Sequence, residues 1–243
     1  MRIGIVQIQP AKGQISVNIN RHLNWIEQAA DLGAELIVFP ELSLTGYEPA
    51  LANELALDAK DPIFDELQEI SDHRSIAIGV GMPTLSDGGV RISMLLFQEQ
   101  ETRQVYAKQL LHQDEVPYFM PGEGQLILAI GEEKIAPAIC YESLQYTHAE
   151  NAHTLGAGIY LASVAKSQQG IRKAYLHYPE IAKKFQMPVL MVNSIGYCDN
   201  FLSAGQSAVW DDQGILLSHL GKDDQGILIF DSNTNEVVSK PLN

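Results

Sequence analysis

Residues 1–41 read MRIGIVQIQPAKGQISVNINRHLNWIEQAADLGAELIVFPE. The β-branched run from Arg2 to Ile8, stopped by Pro10 and Gly13, reads as a buried strand and its turn. A helix is expected next. Ser16 can cap it, Ile19, Leu23, Ile26 and Ala30 recur at i, i+4, i+7 and i+11, and Gly33 suits the residue just past its end. Leu36-Ile37-Val38-Phe39 is a second buried strand, with Glu41 just beyond it. Strand, helix and strand within residues 2–39 form a βαβ-type unit, which predicts an α/β protein with crossover helices on its sheet.

The remaining chain extends this pattern. Asp61-Pro62 reads as an N-cap with proline in the first helical turn, and Ile63, Phe64, Leu67 and Ile70 supply the apolar face of the helix it starts. Ile76 to Val80, Arg91 to Phe97 and Thr102 to Lys108 read as strands, with Asp87-Gly88-Gly89 as the hairpin turn between the first two. The period of two puts Tyr106 and Lys108 on one face of the last strand, opposite Val105 and Ala107. Lys134 to Cys140, Leu144 to Leu155 and Gly158 to Ser163 form a second strand-helix-strand unit. A helix over Tyr175 to Gln186 and strands at Pro188 to Asn193, Gln206 to Trp210 and Gly226 to Phe230 follow. No Ser/Gly-rich linker divides the sequence, so one domain over residues 1–243 with two mixed sheets and helices outside them is expected.

Composition narrows the function classes. The 243 residues are 46% hydrophobic and 19% charged, an ordinary globular balance that argues against disorder or a coiled coil. Sixteen Lys and Arg against thirty Asp and Glu give a net charge of −14. That balance repels nucleic-acid backbones and anionic lipid, and no basic cluster beyond Lys183-Lys184 offsets it. The two cysteines, Cys140 and Cys198, have neither the number nor the spacing of a disulfide framework or zinc site. With no secretory pattern at the start and no run approaching the ~18 apolar residues of a membrane span, a soluble, cytoplasmic protein is expected.

Three positions invite chemistry. Cys140 stands where a buried strand meets a helix, whose N-terminus lowers a thiol pKa and offers N–H groups to an oxyanion. Cys198, in the loop-like Tyr197-Cys198-Asp199-Asn200, has no such context and reads as structural. A thiol attacking an amide or nitrile carbon needs a group to take its proton and return it to the leaving nitrogen. Glu41 at its strand end is a candidate, although an exposed loop glutamate has the same appearance. Lys108, also at a strand end, could steady an oxyanion or be a solvated edge charge.

The segments Phe39-Pro40-Glu41-Leu42-Ser43-Leu44-Thr45-Gly46-Tyr47, Tyr106-Ala107-Lys108 and Ala138-Ile139-Cys140-Tyr141-Glu142 resemble the Glu, Lys and Cys motifs of the nitrilase superfamily, the carbon–nitrogen hydrolases, in order and spacing. Glu115 with Tyr118-Phe119 and Pro121-Gly122 resembles the family's second-glutamate segment. Asn193, Gly196, Gly205, Ser207 and Asp212-Gln213-Gly214 resemble its C-terminal pattern. The resemblance implies a four-layer αββα sandwich that pairs into a homodimer or larger homo-oligomer, and a small-molecule amide substrate with no metal or organic cofactor. It also implies the roles: Cys140 nucleophile, Glu41 general base and then acid, Lys108 and the Tyr141 backbone N–H at the oxyanion, Glu115 orienting Lys108, and Tyr47 on the substrate side.

The sequence departs from the family where many members continue from Cys-Tyr-Asp into Arg-Phe-Pro-Glu; here Cys140-Tyr141-Glu142 runs into Ser143-Leu144-Gln145. The sequence leaves open whether Lys166 or Arg172 enters the pocket to bind a substrate carboxylate. Length argues for a free-standing amidase over a two-domain glutamine-dependent synthetase or a membrane acyltransferase. Nitrile or carbamoyl-amide hydrolysis, acyl transfer to an amine, and a catalytically idle binding protein are the alternatives. Weaker patterns are set aside. His148 and His153 lie five apart, about 140° around a helix, so they do not share a face as a zinc pair would. Gly79-Val80-Gly81 has no following helix for a dinucleotide, and the Gly205-Gln206-Ser207 segment lacks the second glycine of a serine elbow.

Overall fold

A computed structural model describes residues 1–241. The chain runs β1 (Arg2–Gln7), α1 (Ile15–Asp31), β2 (Leu36–Val38), a single turn α2 (Ala52–Leu55), α3 (Asp65–Arg74), β3 (Ala77–Ser86), β4 (Gly89–Phe97) and β5 (Gln104–Ala107). It continues through β6 (Leu128–Ile130), β7 (Glu133–Ile139), α4 (Tyr146–Thr154), β8 (Ile159–Val164), α5 (Gln168–Phe185) and β9 (Val189–Asn193). It ends with β10 (Ile195–Cys198), β11 (Phe201–Ala204), β12 (Ala208–Trp210), β13 (Leu216–His219), β14 (Gly226–Asp231) and β15 (Val237–Pro241). One sheet has the order β15-β14-β1-β2-β3-β4-β5, the other β13-β12-β9-β8-β7-β6, and β10-β11 forms a separate hairpin. Both large sheets are mixed: β1-β2-β3 and β7-β8-β9 are parallel, and the outer strands antiparallel.

Side-chain alternation builds the layers. Ile3 and Ile5 of β1, Ile135 and Ile139 of β7, Ile159 and Leu161 of β8, and Leu190 and Val192 of β9 share one core between the sheets. The intervening residues point outward. Val6, Ile37 and Ile78 meet Ile19, Trp25, Ile26 and Ala29 of α1 and Leu67 of α3. Tyr160, Ala162 and Val164 of β8 meet Ala149 and Ala152 of α4 and Ile171, Ala174, Tyr178 and Ile181 of α5. The result is the expected αββα sandwich.

Several local expectations change. Ser16 does not cap α1, which starts at Ile15 with no side-chain cap; the buried Asn18 instead bonds Ala11 N and O and Leu44 O, tying the preceding loop to the helix. The helix expected from Tyr175 begins two turns earlier, at Gln168, with Ser167 accepting from Gly170 N. The polar, glycine-containing Ser167–Gly170 run resembles a turn when its cap is not recognised. The Cys198 segment is a strand end, with Asp199 and Asn200 making the β10-β11 turn. Asp61 does act as a cap, accepting from Ile63 N at 2.9 Å, but what it starts is a 3₁₀ turn, Pro62–Phe64, that leads into α3. Among the described residues no helix is long and apolar enough to cross a membrane.

Candidate active site

The two strand-helix-strand units end side by side, and their last residues carry the reactive groups. After β2 the chain turns sharply at Leu42, whose φ of 50° lies in the left-handed region. Pro40, Glu41 and Leu42 then pass against Gly81 of β3. A Cβ there would stand 2.2 Å from Leu42 N and 2.6 Å from Pro40 O, so only glycine lets the backbones come so close. Cys140 follows β7 with φ 47°, a non-glycine residue held in an uncommon conformation as strands end at reactive sites. Its N–H donates to Ser163 O at 3.0 Å, so β8 fixes it. Lys108 follows β5, and its N–H donates to Ile92 O at 2.9 Å. As the period of two required, Tyr106 and Lys108 are buried while Val105 is exposed.

Lys108 is completely buried, and its Nζ donates to Glu41 Oε1 at 2.8 Å and Glu115 Oε1 at 2.6 Å. Burial alone would lower the ammonium pKa, but the charges of Glu41 and Glu115 outweigh it and hold Lys108 protonated, above its ordinary value. Glu115 is anchored by three further features: the Tyr47 hydroxyl donates to Oε1 at 2.9 Å, His112 N donates to Oε2 at 2.7 Å, and its side chain is buried. Glu41 is different. Its Oε2 is buried without an ordinary hydrogen-bond partner. Burial raises the Glu41 pKa, Lys108 pulls it down, Glu115 pushes it up again, and the net direction is upward.

Cys140, Glu115, Tyr47 and Tyr141 line a cavity of about 250 Å³, together with Ala165, Lys166, Lys173 and Phe201. Glu41 and Lys108 lie behind that wall, 2% and 0% exposed. A larger hollow of about 760 Å³, beside Trp25, Arg21, Lys12 and Glu48, includes none of Glu41, Lys108 or Cys140. The Tyr141 N–H has no acceptor among the described residues and so is free for an oxygen next to Cys140. One expectation is overturned. A three-residue 3₁₀ turn, Glu142–Leu144, and no α-helix follows Cys140 directly, and the thiol pKa is not lowered. Burial and then the Glu41 charge push it up to about 11, against the opposing pull of Lys166 and Lys108. The resting sulfur is therefore a thiol, near a carboxylate able to take its proton.

Two residues that sequence reasoning did not place have defined positions here. Glu142 is buried, and its Oε1 accepts from Tyr106 OH at 2.6 Å and Ile139 N at 2.7 Å while Oε2 accepts from Gln109 N at 2.7 Å and Leu110 N at 3.2 Å. It thereby joins the residue before Cys140 to the residues after Lys108. The signal was its place inside the Cys140-Tyr141-Glu142 motif. Lys166 lies 5% exposed on the cavity wall, with Nζ 3.7 Å from Cys140 Sγ and 3.4 Å from Cys140 O. Arg172 is exposed and does not line the cavity. His148 sits between the hydroxyls of Tyr106 and Tyr160, at 2.9 and 2.8 Å, where burial lowers its pKa to about 4. Among the described residues no group of His, Cys, Asp and Glu could hold a metal ion.

A sequence profile of the carbon-nitrogen hydrolases matches residues 2–241. The chain belongs to the carbon–nitrogen hydrolase family. This hydrolase is 27% identical to the glutamine-dependent NAD(+) synthetase of Thermotoga maritima over 97% of its own length and 42% of the synthetase. It is 33% identical to an aliphatic nitrilase of Sinorhizobium fredii, over 32% of the chain and 25% of the nitrilase. The chain thus spans less than half the length of the curated synthetases it matches. The fold is shared with the NitN amidase of Nesterenkonia sp. AN1, with a TM-score of 0.87 at 24% identity, covering 95% of this chain and 92% of the amidase. A variant of that amidase in complex with butyramide superposes with a TM-score of 0.86 at 23% identity over 99% of this chain and 91% of that one.

Proposed function

We propose that this carbon–nitrogen hydrolase is an amidase that cleaves the C–N bond of small linear amides through an acyl-enzyme on Cys140. The observation that carries this reading is the unpartnered, buried Glu41 Oε2 beside a thiol whose own pKa is too high for it to attack unaided. Glu41 takes the thiol proton as the sulfur–carbon bond forms and the carbonyl electrons move onto oxygen. Lys108 and the Tyr141 N–H stabilise that oxyanion. When it collapses the C–N bond breaks, the proton on Glu41 passes to the leaving nitrogen, and ammonia departs from a thioester. Water then gives a proton to Glu41 as it adds to the thioester, and the returning proton restores the thiol as the carboxylic acid leaves. The balance is amide plus water to acid plus ammonia.

Glu115 supports the reading as a positioning residue, since it accepts from the Lys108 ammonium at 2.6 Å and is itself held by the Tyr47 hydroxyl at 2.9 Å. The match to an amidase with butyramide bound favours amides over nitriles as first substrates to test. Nitrile hydrolysis by the same groups is the second reading, favoured by the partial match to an aliphatic nitrilase. Pairing into a homodimer through the outer helices belongs to the same proposal, supported by Leu176 of α5 and Tyr146 of α4, which are exposed; sedimentation in solution checks it.

The test is ammonia release from a panel of small amides, carbamoyl amides and nitriles, run with the wild type and Cys140→Ala. Release from amides that disappears in the variant is expected. Release that persists in Cys140→Ala, or a panel on which only nitriles react, contradicts the amidase reading.

A further inference from the structure

Two lysines are buried at this site, and they are treated very differently. Lys108 has two carboxylates within 2.8 Å. Lys166 has no carboxylate within ion-pair distance among the described residues; its ammonium meets only the Cys140 carbonyl at 3.4 Å and the Cys140 sulfur at 3.7 Å. A buried ammonium without an anion is costly, and a flexible lysine would ordinarily turn toward solvent. The backbone that carries this one is fixed beside the cavity. Lys166 N donates to Asn193 Oδ1 at 2.8 Å, and Lys166 O accepts from Ala204 N at 2.9 Å, Asn193 Nδ2 at 3.2 Å and Ser203 Oγ at 3.3 Å. On α5 Gly170 leaves room for its stem: a Cβ there would be 3.1 Å from Lys166 Cβ.

The surroundings leave the cation available to a ligand. Glu115, the carboxylate on the cavity wall nearest the chemistry, is paired with Lys108. Asp114, at the same wall, is exposed and has its Oδ1 against His112 Nδ1 at 2.5 Å. Lys173 adds a second cation to the lining, exposed and outside any ion pair among the described residues. In a chain of net charge −14, Lys166 and Lys173 place two cations, outside any ion pair among the described residues, on the wall beside the nucleophile, where they favour an anionic group.

We infer that Lys166 binds a carboxylate of the substrate, and that the favoured substrates are monoamides of short dicarboxylic acids. This deepens the amidase reading above and rests on it. The distance limits the chain. A carboxylate oxygen about 2.8 Å from the ammonium lies no more than roughly 6.5 Å from the sulfur that attacks the amide carbon. With C–C bonds of about 1.5 Å, that reach fits a carboxylate one to three carbons beyond the amide carbon, as in malonamate or succinamate, and excludes long ω-amides held in extended form.

The experiment compares kcat/KM for succinamate with that for butyramide, a neutral amide of the same chain length, in the wild type, Lys166→Met and Lys166→Arg. Succinamate is expected to be favoured by about 10- to 100-fold, the range of a hydrogen bond to a charged group. Lys166→Met brings the ratio close to one and Lys166→Arg keeps part of it. A wild type indifferent to the carboxylate, or a ratio unchanged in Lys166→Met because both substrates suffer equally, overturns the inference and makes Lys166 a countercharge for the thiol. Succinate titrated calorimetrically into Cys140→Ala and into Cys140→Ala with Lys166→Met reads the same contact without turnover. Binding in the first that is lost in the second is expected; no binding to Cys140→Ala overturns the inference. If neither amide is hydrolysed, the amidase reading fails while the succinate titration still decides the role of Lys166. If the Lys166 variants do not fold, the wild-type ratio and protection of Cys140 from alkylation by succinate, but not by butyrate's neutral amide, decide it.

Discussion

Glu41 and Glu142 are both buried carboxylates beside Cys140, and burial raises the pKa of each. They differ in what meets their oxygens. Both oxygens of Glu142 are occupied by neutral donors, two backbone N–H groups on one and a backbone N–H and a tyrosine hydroxyl on the other. Glu41 has one oxygen against the Lys108 ammonium and one buried without an ordinary hydrogen-bond donor, near the Cys140 thiol. A carboxylate with every lone pair engaged fixes chain segments in place; one with a buried oxygen left over is available to accept a proton. The same fold thus holds one buried glutamate as a brace and, on the proposed reading, the other as a base.

The largest expected effect breaks the comparison on the Glu41 side. Cys140→Ala should abolish turnover, and Glu41→Gln, which keeps a polar group against Lys108 but cannot take a proton, should lower kcat/KM by about 10²- to 10⁴-fold, with circular-dichroism melts unchanged in cooperativity. On the Glu142 side the balance reverses. Glu142→Gln turns one acceptor oxygen into a donor facing backbone N–H groups, so urea denaturation should report a loss of about 1–3 kcal/mol, with a smaller fall in turnover as Lys108 and Cys140 lose their common brace.

A pH experiment sharpens the distinction. Because the Glu41 charge helps to push the Cys140 thiol up to about 11, Glu41→Gln should move the pH profile of Cys140 alkylation to lower pH. Glu142→Gln, which does not remove a charge that acts on the thiol in this way, should leave the midpoint close to wild type. Equal shifts in both variants would erase the difference between the two carboxylates. A Cys198→Ala background removes the second thiol from the measurement.

Acid provides a further check, on the network behind Glu142. His148 is buried there with its pKa lowered to about 4. The unfolded chain takes up its proton near the ordinary value of 6.5 and the folded chain does so only near 4. Stability from neutral His148 is therefore fully present above 6.5 and lost as pH falls toward 4, by up to about 3 kcal/mol. Denaturation midpoints measured between pH 7 and 4 should fall more steeply in the wild type than in His148→Gln. The smallest effect belongs to Cys198→Ala. Cys198 is buried against Ser194 at 3.7 Å in the β10-β11 hairpin, and the variant should change activity little and stability by about 1 kcal/mol.

How much of this was legible in sequence depends on whether a residue's position is set locally. Glu41 and Cys140 each follow a short, largely apolar strand and Lys108 an alternating one, so periodicity put them at strand ends, and the family resemblance grouped them. The central strands β1, β2, β7, β8 and β9 were readable because both of their faces are buried and their apolar runs are continuous. The edge strands β6, β13 and β15 are short or half-exposed and left no comparable run. Lys166 was not readable, because its burial comes from the closure of β8, β9 and the β10-β11 hairpin around one backbone segment, a tertiary event with no local pattern. The thiol pKa failed for a similar reason: the expected helix N-terminus is displaced by a 3₁₀ turn, and burial, which sequence spacing does not report, dominates.

The central claim is that Cys140 carries the acyl group and that the free oxygen of Glu41 loads and unloads it. Acid-quenched wild type, Glu41→Gln and Cys140→Ala, each mixed with a hydrolysed amide and mapped by peptide mass spectrometry, tests it directly. The account expects the acyl mass on the Cys140 peptide of the wild type, a much slower build-up in Glu41→Gln and none in Cys140→Ala. Ammonia release at the wild-type rate with no adduct on that peptide, or an adduct that forms as fast in Glu41→Gln, would contradict it.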